Sequence, residues 1–216
     1  MSNPQFRLRL LDQYWITGSR DPDGDLEDPT SHGKIQLLVH GEDISGCDDV
    51  DTDYGINQSA VRLLQTLFAD HIPSEWEPSG PFNPIFYHGC AILGTCPNCV
   101  IDYRIRHLPE GLVALDRFLV SGGPRGSDPR RFVSRSVQMR LADYAREVFT
   151  FAEEALPFVA GPRGLDYEKP MFEELRKEHE FLLFMSQRVV SGAGFSPEER
   201  ARAMAFDVGT CQLASR

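Results

Sequence analysis

The chain has 216 residues, of which 41% are hydrophobic and 25% charged, as in an ordinary globular protein that buries a core without disulfides. The formal net charge of −10 disfavours nucleic acid and membrane surfaces as partners. The five cysteines, an odd number, do not indicate a disulfide scaffold, and no apolar run approaches the length of a membrane span. Because no signal-peptide pattern opens the sequence, the predicted location is a reducing cytoplasm. The excess of arginine over lysine, 19 to 3, is typical of a GC-rich bacterial genome.

The negative charge is concentrated in an early acidic stretch, residues 21–53. This stretch holds eleven acidic side chains against one base, Lys34, and so accounts for the whole net charge of −10. Such an acidic field favours a basic protein partner or a cation. Trp76, in the proline-rich loop further on, is either a cover over the core or an exposed anchor for a partner. The predicted partner-binding residues are Asp43, Asp48, Asp49, Asp51, Asp53 and Trp76.

Two strands and a helix are predicted in the first third of the chain. Residues 6–16 and 35–39 alternate apolar and polar side chains with a period of two, as half-buried strands do. Asn57 is a suitable N-cap for a helix whose apolar stripe covers residues 60–72 and which Pro73 ends. The acidic residues fall mainly in the loops before and after the second strand.

A strand pair frames the most distinctive part of the sequence. A short apolar run at residues 85–87 stops at Gly89, and residues 101–105 alternate apolar and charged side chains. Between the two runs lies the Cys/His loop, residues 88–99. Its candidate metal ligands are His88, Cys90, Cys96 and Cys99.

Four interpretations of the Cys/His loop remain open. Cys96 and Cys99 form a Cys-x2-Cys turn that, with His88 and Cys90, would complete a tetrahedral zinc site, although no second Cys-x2-Cys is present. A redox dithiol is expected at a helix N-terminus, whereas a strand follows here. Cys90 with His88 or His107 as its base would be a nucleophile. The favoured interpretation is structural: the small cysteine side chains are buried under the loop and bind no cofactor.

Two further strands are predicted before the pattern changes. Residues 112–120 follow the 101–105 strand after a link short enough for a hairpin, and residues 133–139 form a last strand. Links of hairpin length indicate antiparallel pairing.

Helical spacing dominates the last third of the chain. Apolar residues recur with this spacing over 142–159 and 169–190, and His179 near the second stripe is expected to be a packed, hydrogen-bonded histidine rather than a ligand. Ser196 and Glu199 form a capping box that begins a short final helix.

This order of elements predicts an α+β fold, with a mostly antiparallel sheet of about five or six strands covered by three or four helices. Residues 1–209 are predicted to form a single domain, and residues 210–216 a loose C-terminal tail.

Two functions are consistent with these features. The first is a non-catalytic acidic protein-binding protein, either an immunity-type neutraliser of a basic toxin or an accessory subunit of a bacterial complex. The alternative is an enzyme or a metal-dependent domain that uses the Cys/His loop. No complete catalytic motif is present, but active sites are assembled from residues far apart in sequence, so the question of enzymatic activity stays open.

Overall fold

The structure, a computed structural model, describes residues 5–14, 31–45, 54–73, 84–87, 100–121, 130–157 and 169–206. These residues form eight strands and four α-helices. The predicted α+β class and antiparallel pairing are confirmed. The sheet differs from the prediction, because the strands divide into two sheets of four instead of one sheet of about five or six. Side-chain alternation shows which face of a strand is buried but not which strands pair.

The first sheet, sheet A, is organised around its second strand. Its members are β1 (Phe6–Tyr14), β2 (His32–Val39), β3 (Glu42–Asp43) and β4 (Tyr54–Gly55). β1 pairs with one side of β2, whereas β3 and β4 pair with the other side near opposite ends of β2. His40 and Gly41 have φ angles of 52° and 81°, which a two-residue type I′ turn between β2 and β3 requires.

The second sheet, sheet B, is a simple antiparallel series. Its strands, in spatial order, are β5 (Phe86–Tyr87), β6 (Val100–Leu108), β7 (Leu112–Ser121) and β8 (Arg130–Arg140). A single 3-10 turn, Pro109–Gly111, joins β6 to β7, and Glu110 within it has a φ of 62°. The hairpin and the last strand predicted from the sequence are both confirmed.

Four helices complete the described part of the fold. They are α1 (Ile56–Gln65), α2 (Leu141–Ala155), α3 (Lys169–Val190) and α4 (Pro197–Ala205). The capping box before α4 is confirmed. The Ser196 hydroxyl accepts a hydrogen bond from the Glu199 backbone N–H over 3.2 Å, and the Ser196 backbone N–H donates to the Glu199 carboxylate over 2.7 Å.

The start of α1 differs from the prediction. Gly55 is the N-cap, and Asn57 lies inside the first turn. The Asn57 side chain instead accepts a hydrogen bond from the backbone N–H of Ser31 over 3.0 Å. The amide therefore fixes the beginning of β2 to the helix rather than capping the helix itself.

The end of α1 differs as well. The helix ends at Gln65, and Ile72, expected on its buried stripe, is 47% exposed. His71 exchanges two backbone hydrogen bonds of 2.9 Å with Ile105 of β6. The chain has therefore become extended before it reaches Ile72.

One hydrophobic core of described residues joins both sheets and the helices. The Phe6 ring of β1 lies 6.0 Å from the Tyr103 ring of β6 and 5.6 Å from the Tyr144 ring of α2, measured between centroids. The Phe86 ring of β5 lies 6.0 Å from the Tyr54 ring of β4. These contacts pack sheet A against sheet B and place α2 over both.

None of the described helices combines the length and the apolar character that crossing a membrane requires. The cytoplasmic location stays a prediction. So does the division into a domain of residues 1–209 and a tail of residues 210–216, because residues 207–216 lie outside the described part of the chain.

Candidate functional site

Most of the residues predicted to carry function lie outside the described residues. These are the partner-binding candidates Asp48, Asp49, Asp51, Asp53 and Trp76 and the metal-ligand candidates His88, Cys90, Cys96 and Cys99. The structure describes Asp43 and the residues that flank the segments carrying the other candidates. The structure therefore locates the ends of these segments, and the roles of their side chains stay predictions.

Asp43 has an exposed side chain whose two carboxylate oxygens are both hydrogen-bonded within the hairpin. Oδ1 accepts from the backbone N–H and the hydroxyl of Ser45 over 2.9 and 2.5 Å, and Oδ2 accepts from Nε2 of Gln36 over 3.0 Å. The Ser45 hydroxyl in turn accepts from the Leu37 backbone N–H over 3.1 Å. Asp43 thus has a structural role in the β2–β3 hairpin in addition to its predicted place in a binding surface.

Side-chain contacts fix the same hairpin to sheet B. Glu42 forms an ion pair with Arg135 of β8, and Nε2 of His40 lies 2.9 Å from the carbonyl oxygen of Ser136. Since a carbonyl only accepts hydrogen bonds, Nε2 of His40 carries a proton here. Of the two described carboxylates in the acidic stretch, one is therefore neutralised by arginine and the other is held inside the hairpin.

The two ends of the Cys/His loop are fixed side by side. Tyr87 of β5 pairs with Val100 of β6, so the chain enters and leaves the loop at neighbouring positions of sheet B. Arg62 of α1 lies over the Tyr87 ring, 4.5 Å from its centroid. The Tyr87 hydroxyl donates to the side chain of Gln58, also on α1.

A His–Asp pair lies close to this entrance. Nε2 of His71 is 2.7 Å from Oδ1 of Asp102, and Asp102 is only 1% exposed. The same oxygen accepts from the backbone N–H groups of Tyr103 at 3.0 Å and Ile85 at 3.4 Å. A buried carboxylate that holds one ring nitrogen of a histidine fixes the orientation of the ring, as in many proton-transfer sites.

A second histidine, His107 of β6, lies near the end of α1. Its Nδ1 is 3.5 Å from Oδ1 of Asp70, and its Nε2 is buried although the side chain as a whole is 21% exposed. Burial lowers the pKa of His107 and the Arg200 guanidinium of α4 reinforces this effect, whereas the Asp70 carboxylate and a hydrogen bond with the Thr66 backbone partly oppose it. His107 is therefore neutral near pH 7.

Buried hydroxyl groups lie in the core between α1, α2 and β6. Oγ1 of Thr66 is 2.8 Å from the hydroxyl of Tyr144. Burial raises the pKa of Tyr144 to about 12, and burial together with the nearby Tyr144 hydroxyl raises the pKa of Tyr103 further above its usual value. Both phenols therefore stay protonated at physiological pH, which favours a packing role over a role as a base.

The solvent side of sheet B carries an arginine–aspartate cluster. Asp116 of β7 accepts from Arg104 over 2.6 and 2.8 Å and from Arg106 over 3.1 Å. Burial opposes ionisation, but the hydrogen bonds from both arginines hold the pKa of Asp116 below its usual value. This bidentate pair joins neighbouring strands and leaves Arg106 partly exposed.

His179 of α3 is buried, as predicted, and its ring packs edge-on against Phe206 at a centroid distance of 6.1 Å. Burial lowers its pKa to about 4, although Glu178 beside it raises the pKa in part. The described residues include no group of three or more His, Cys, Asp or Glu side chains placed to hold a metal ion.

Comparisons with protein-family models, with curated proteins and with solved structures found no match.

The His71–Asp102 pair was not predicted from the sequence. The sequence pattern places Asp102 on the polar side of a half-buried strand and His71 in a helix. Asp102 itself was an indication of the pair, because aspartate is disfavoured inside strands and a buried carboxylate needs hydrogen-bond donors. That signal indicates a partner but does not identify it, since His71 lies 31 residues away.

Proposed function

We propose that this protein is a non-catalytic binding protein that recognises a basic protein partner through its acidic stretch. The two roles that suit this chemistry are an immunity-type neutraliser of a basic toxin and an accessory subunit of a bacterial complex. The observation that carries the proposal is the concentration of eleven acidic residues and one lysine in residues 21–53, on a chain that is otherwise formally neutral.

The topology of sheet A supports the proposal. Tyr14, where β1 ends, pairs with His32, where β2 begins, and His32 pairs with Gly55 of β4. The segment 15–30 therefore leaves and rejoins the sheet at the end where the segment 46–53 also rejoins it. Nine of the eleven acidic residues belong to these two segments: Asp21, Asp23, Asp25, Glu27, Asp28, Asp48, Asp49, Asp51 and Asp53.

Charge concentrated in one stretch of a chain has a defined kinetic effect. It accelerates encounter with a partner of opposite charge and disfavours partners of like charge. Salt weakens such attraction, because the screening length falls from about 10 Å at 0.1 M ionic strength to about 3 Å at 1 M. Complex formation by this protein is therefore expected to be strongly salt-dependent.

The test is a pull-down from an extract of the source cells at low and high salt, followed by calorimetric titration with the purified partner. Replacing Asp48, Asp49, Asp51 and Asp53 with Asn is expected to lower the affinity at least about tenfold at low salt. A matched control removes four charges from exposed helical positions: Glu153, Glu154, Glu180 and Glu198 to Gln.

The control variant should bind like the wild type. If no partner appears at either salt concentration, or if both variants bind equally well, the acidic stretch is not a recognition surface.

A second candidate function, an enzyme or a metal-dependent domain, is favoured by the His71–Asp102 pair. Asp102 lies only three residues after the end of the Cys/His loop and orients His71 beside the strands that carry both loop ends. Under this proposal His71 is a proton acceptor oriented by Asp102, and the loop supplies a thiolate or a zinc site.

Metal analysis and substitution separate the two candidates. Stoichiometric zinc or iron after purification under reducing conditions would favour the metal-dependent domain, and its loss in Cys96→Ala and Cys99→Ala proteins would locate the site. If metal is substoichiometric, and if Cys90→Ala and His71→Asn proteins keep every measurable activity and partner affinity, the second candidate is excluded.

A further inference from the structure

The last described helix, α4, presents little apolar surface to the rest of the protein. Of its nine residues only Ala203 is buried, and seven are exposed. Aromatic contacts lie at its two ends, where Phe195 packs edge-on against Phe68 and Phe206 packs edge-on against His179. A helix of this length is not stable by itself in water. It therefore depends on its contacts with neighbouring elements, and losing them would melt it.

Side-chain hydrogen bonds hold α4 to the last residue of α1 and the turn that follows. Nε of Arg200 donates to the carbonyl oxygen of Phe68 over 2.5 Å, and Nη2 donates to the same oxygen. In the opposite direction, Nε2 of Gln65 donates to the carbonyl oxygen of Phe206 over 2.6 Å. Phe68 lies three residues before His71, so these bonds also restrain the segment that carries this histidine.

Partly exposed ion pairs join α4 to α3. Arg202 pairs with Glu178 over 2.8 Å and lies over the Phe181 ring, 3.9 Å from its centroid. Arg188 pairs with Glu199 over 2.6 Å. The four charged side chains are between 29% and 52% exposed. Ion pairs this accessible to water contribute little stability each, and salt weakens them.

The connection between α3 and α4 has the features of a hinge. Residues 191–194 are all exposed, and Gly192 has a φ of 74°. A Cβ on Gly192 or on Gly194 would meet no atom within 4 Å. Because glycine adopts φ values of either sign and both glycines face open space, the chain can change direction here without disturbing α3.

We propose that α4 is a hinged strap, which melts and leaves the end of α1 as one unit while both sheets and the other three helices stay folded. Hydrogen bonds and partly exposed ion pairs close the strap, whereas buried apolar side chains hold the core. Opening exposes little apolar surface, so it requires much less free energy than global unfolding. Salt weakens the ion pairs and not the apolar core, and it therefore favours the open strap.

Native-state amide hydrogen exchange of the full-length protein tests the proposal, at about pH 7 in about 0.05 M and about 1 M NaCl, with and without low concentrations of urea. The α4 amides are expected to exchange faster than those of α2 and with little dependence on urea, because opening exposes little surface. The higher salt concentration should raise the opening constant of α4 at least about threefold and leave the α2 amides unchanged.

Substitutions identify the contacts that close the strap. Arg200→Gln removes the guanidinium that binds the Phe68 carbonyl oxygen and is expected to raise the opening constant of α4 about tenfold. Arg202→Gln removes the ion pair with Glu178 and should reduce the salt dependence of opening. Arg146→Gln is the matched control, because it removes a 59%-exposed arginine from α2 and should leave α4 exchange unchanged.

Three results overturn the proposal. The first is exchange of α4 at the same rate and with the same urea dependence as α2, which means that α4 opens only when the whole protein unfolds. The second is an α4 opening constant that is equal at both salt concentrations. The third is an Arg200→Gln protein whose α4 exchanges like that of Arg146→Gln. The first two are measured on the wild type, so they decide the question even if Arg200→Gln does not fold.

Discussion

Nε2 of His71 lies 2.7 Å from Oδ1 of Asp102, and this contact joins the segment after α1 to the first half of β6. The backbone of His71 also pairs with Ile105 through two hydrogen bonds. His71 thus continues the edge of sheet B beyond β5. The buried Asp102 carboxylate also accepts hydrogen bonds from the backbone N–H groups of Ile85 and Tyr103. The pair is a structural junction whether or not it also transfers protons.

Replacing Asp102 with Ala is expected to destabilise the protein by about 2–4 kcal/mol, because a ring nitrogen and two amides lose their buried acceptor. Urea denaturation measures the loss. Glu153→Ala, an exposed change on α2, is the control and should stay within about 0.5 kcal/mol of the wild type. Equal stabilities of the two variants would show that water satisfies these donors.

Gly33 of β2 cannot accept a side chain. A Cβ built there would lie 2.0 Å from the backbone oxygen of Asp12 and 2.9 Å from Cγ1 of Ile56. Gly33→Ala is therefore expected to cost more than about 2 kcal/mol or to prevent folding. Gly194→Ala meets no atom within 4 Å and serves as the control. Thermal melting of both proteins checks the expectation, which fails if their melting temperatures agree.

The capping box before α4 contributes stability that a single substitution can measure. Ser196→Ala removes the acceptor for the Glu199 backbone N–H and is expected to cost about 1 kcal/mol. Ser191→Ala changes an exposed serine at the end of α3 and should have a smaller effect. Chemical denaturation distinguishes the two, and a larger effect at Ser191 would contradict the role assigned to Ser196.

His179 makes the global stability depend on pH. Its folded-state pKa of about 4 lies below the ordinary value of about 6.5. The stability that depends on a neutral His179 is therefore fully present above about pH 6.5 and is lost as the pH falls towards about 4. This shift corresponds to about 3 kcal/mol in total. Denaturation of the wild type and of His179→Leu from about pH 7 to about pH 4 tests this, and the variant should lose less stability. Parallel curves would show that His179 titrates normally in the fold.

Features governed by near neighbours in the chain could be predicted from the sequence. The period of two over residues 101–105 located β6, and the short link that follows it indicated a hairpin with the strand predicted at residues 112–120, which is β7. Ser196 and Glu199 marked the start of α4, because a capping box involves residues only three positions apart. The acidic stretch and the Cys/His loop were recognised from composition and residue spacing, and their functions stay predictions.

The amino-acid order by itself determined the α+β class, the faces of the strands and the concentration of acidic charge in residues 21–53, because periodicity and composition are local properties. Tertiary structure alone decided that the strands form two sheets, that α1 ends before His71 and that Asp102 accepts a hydrogen bond from His71. These outcomes depend on contacts between distant segments. Burial of a carboxylate or a ring becomes favourable only when the whole core supplies its partners.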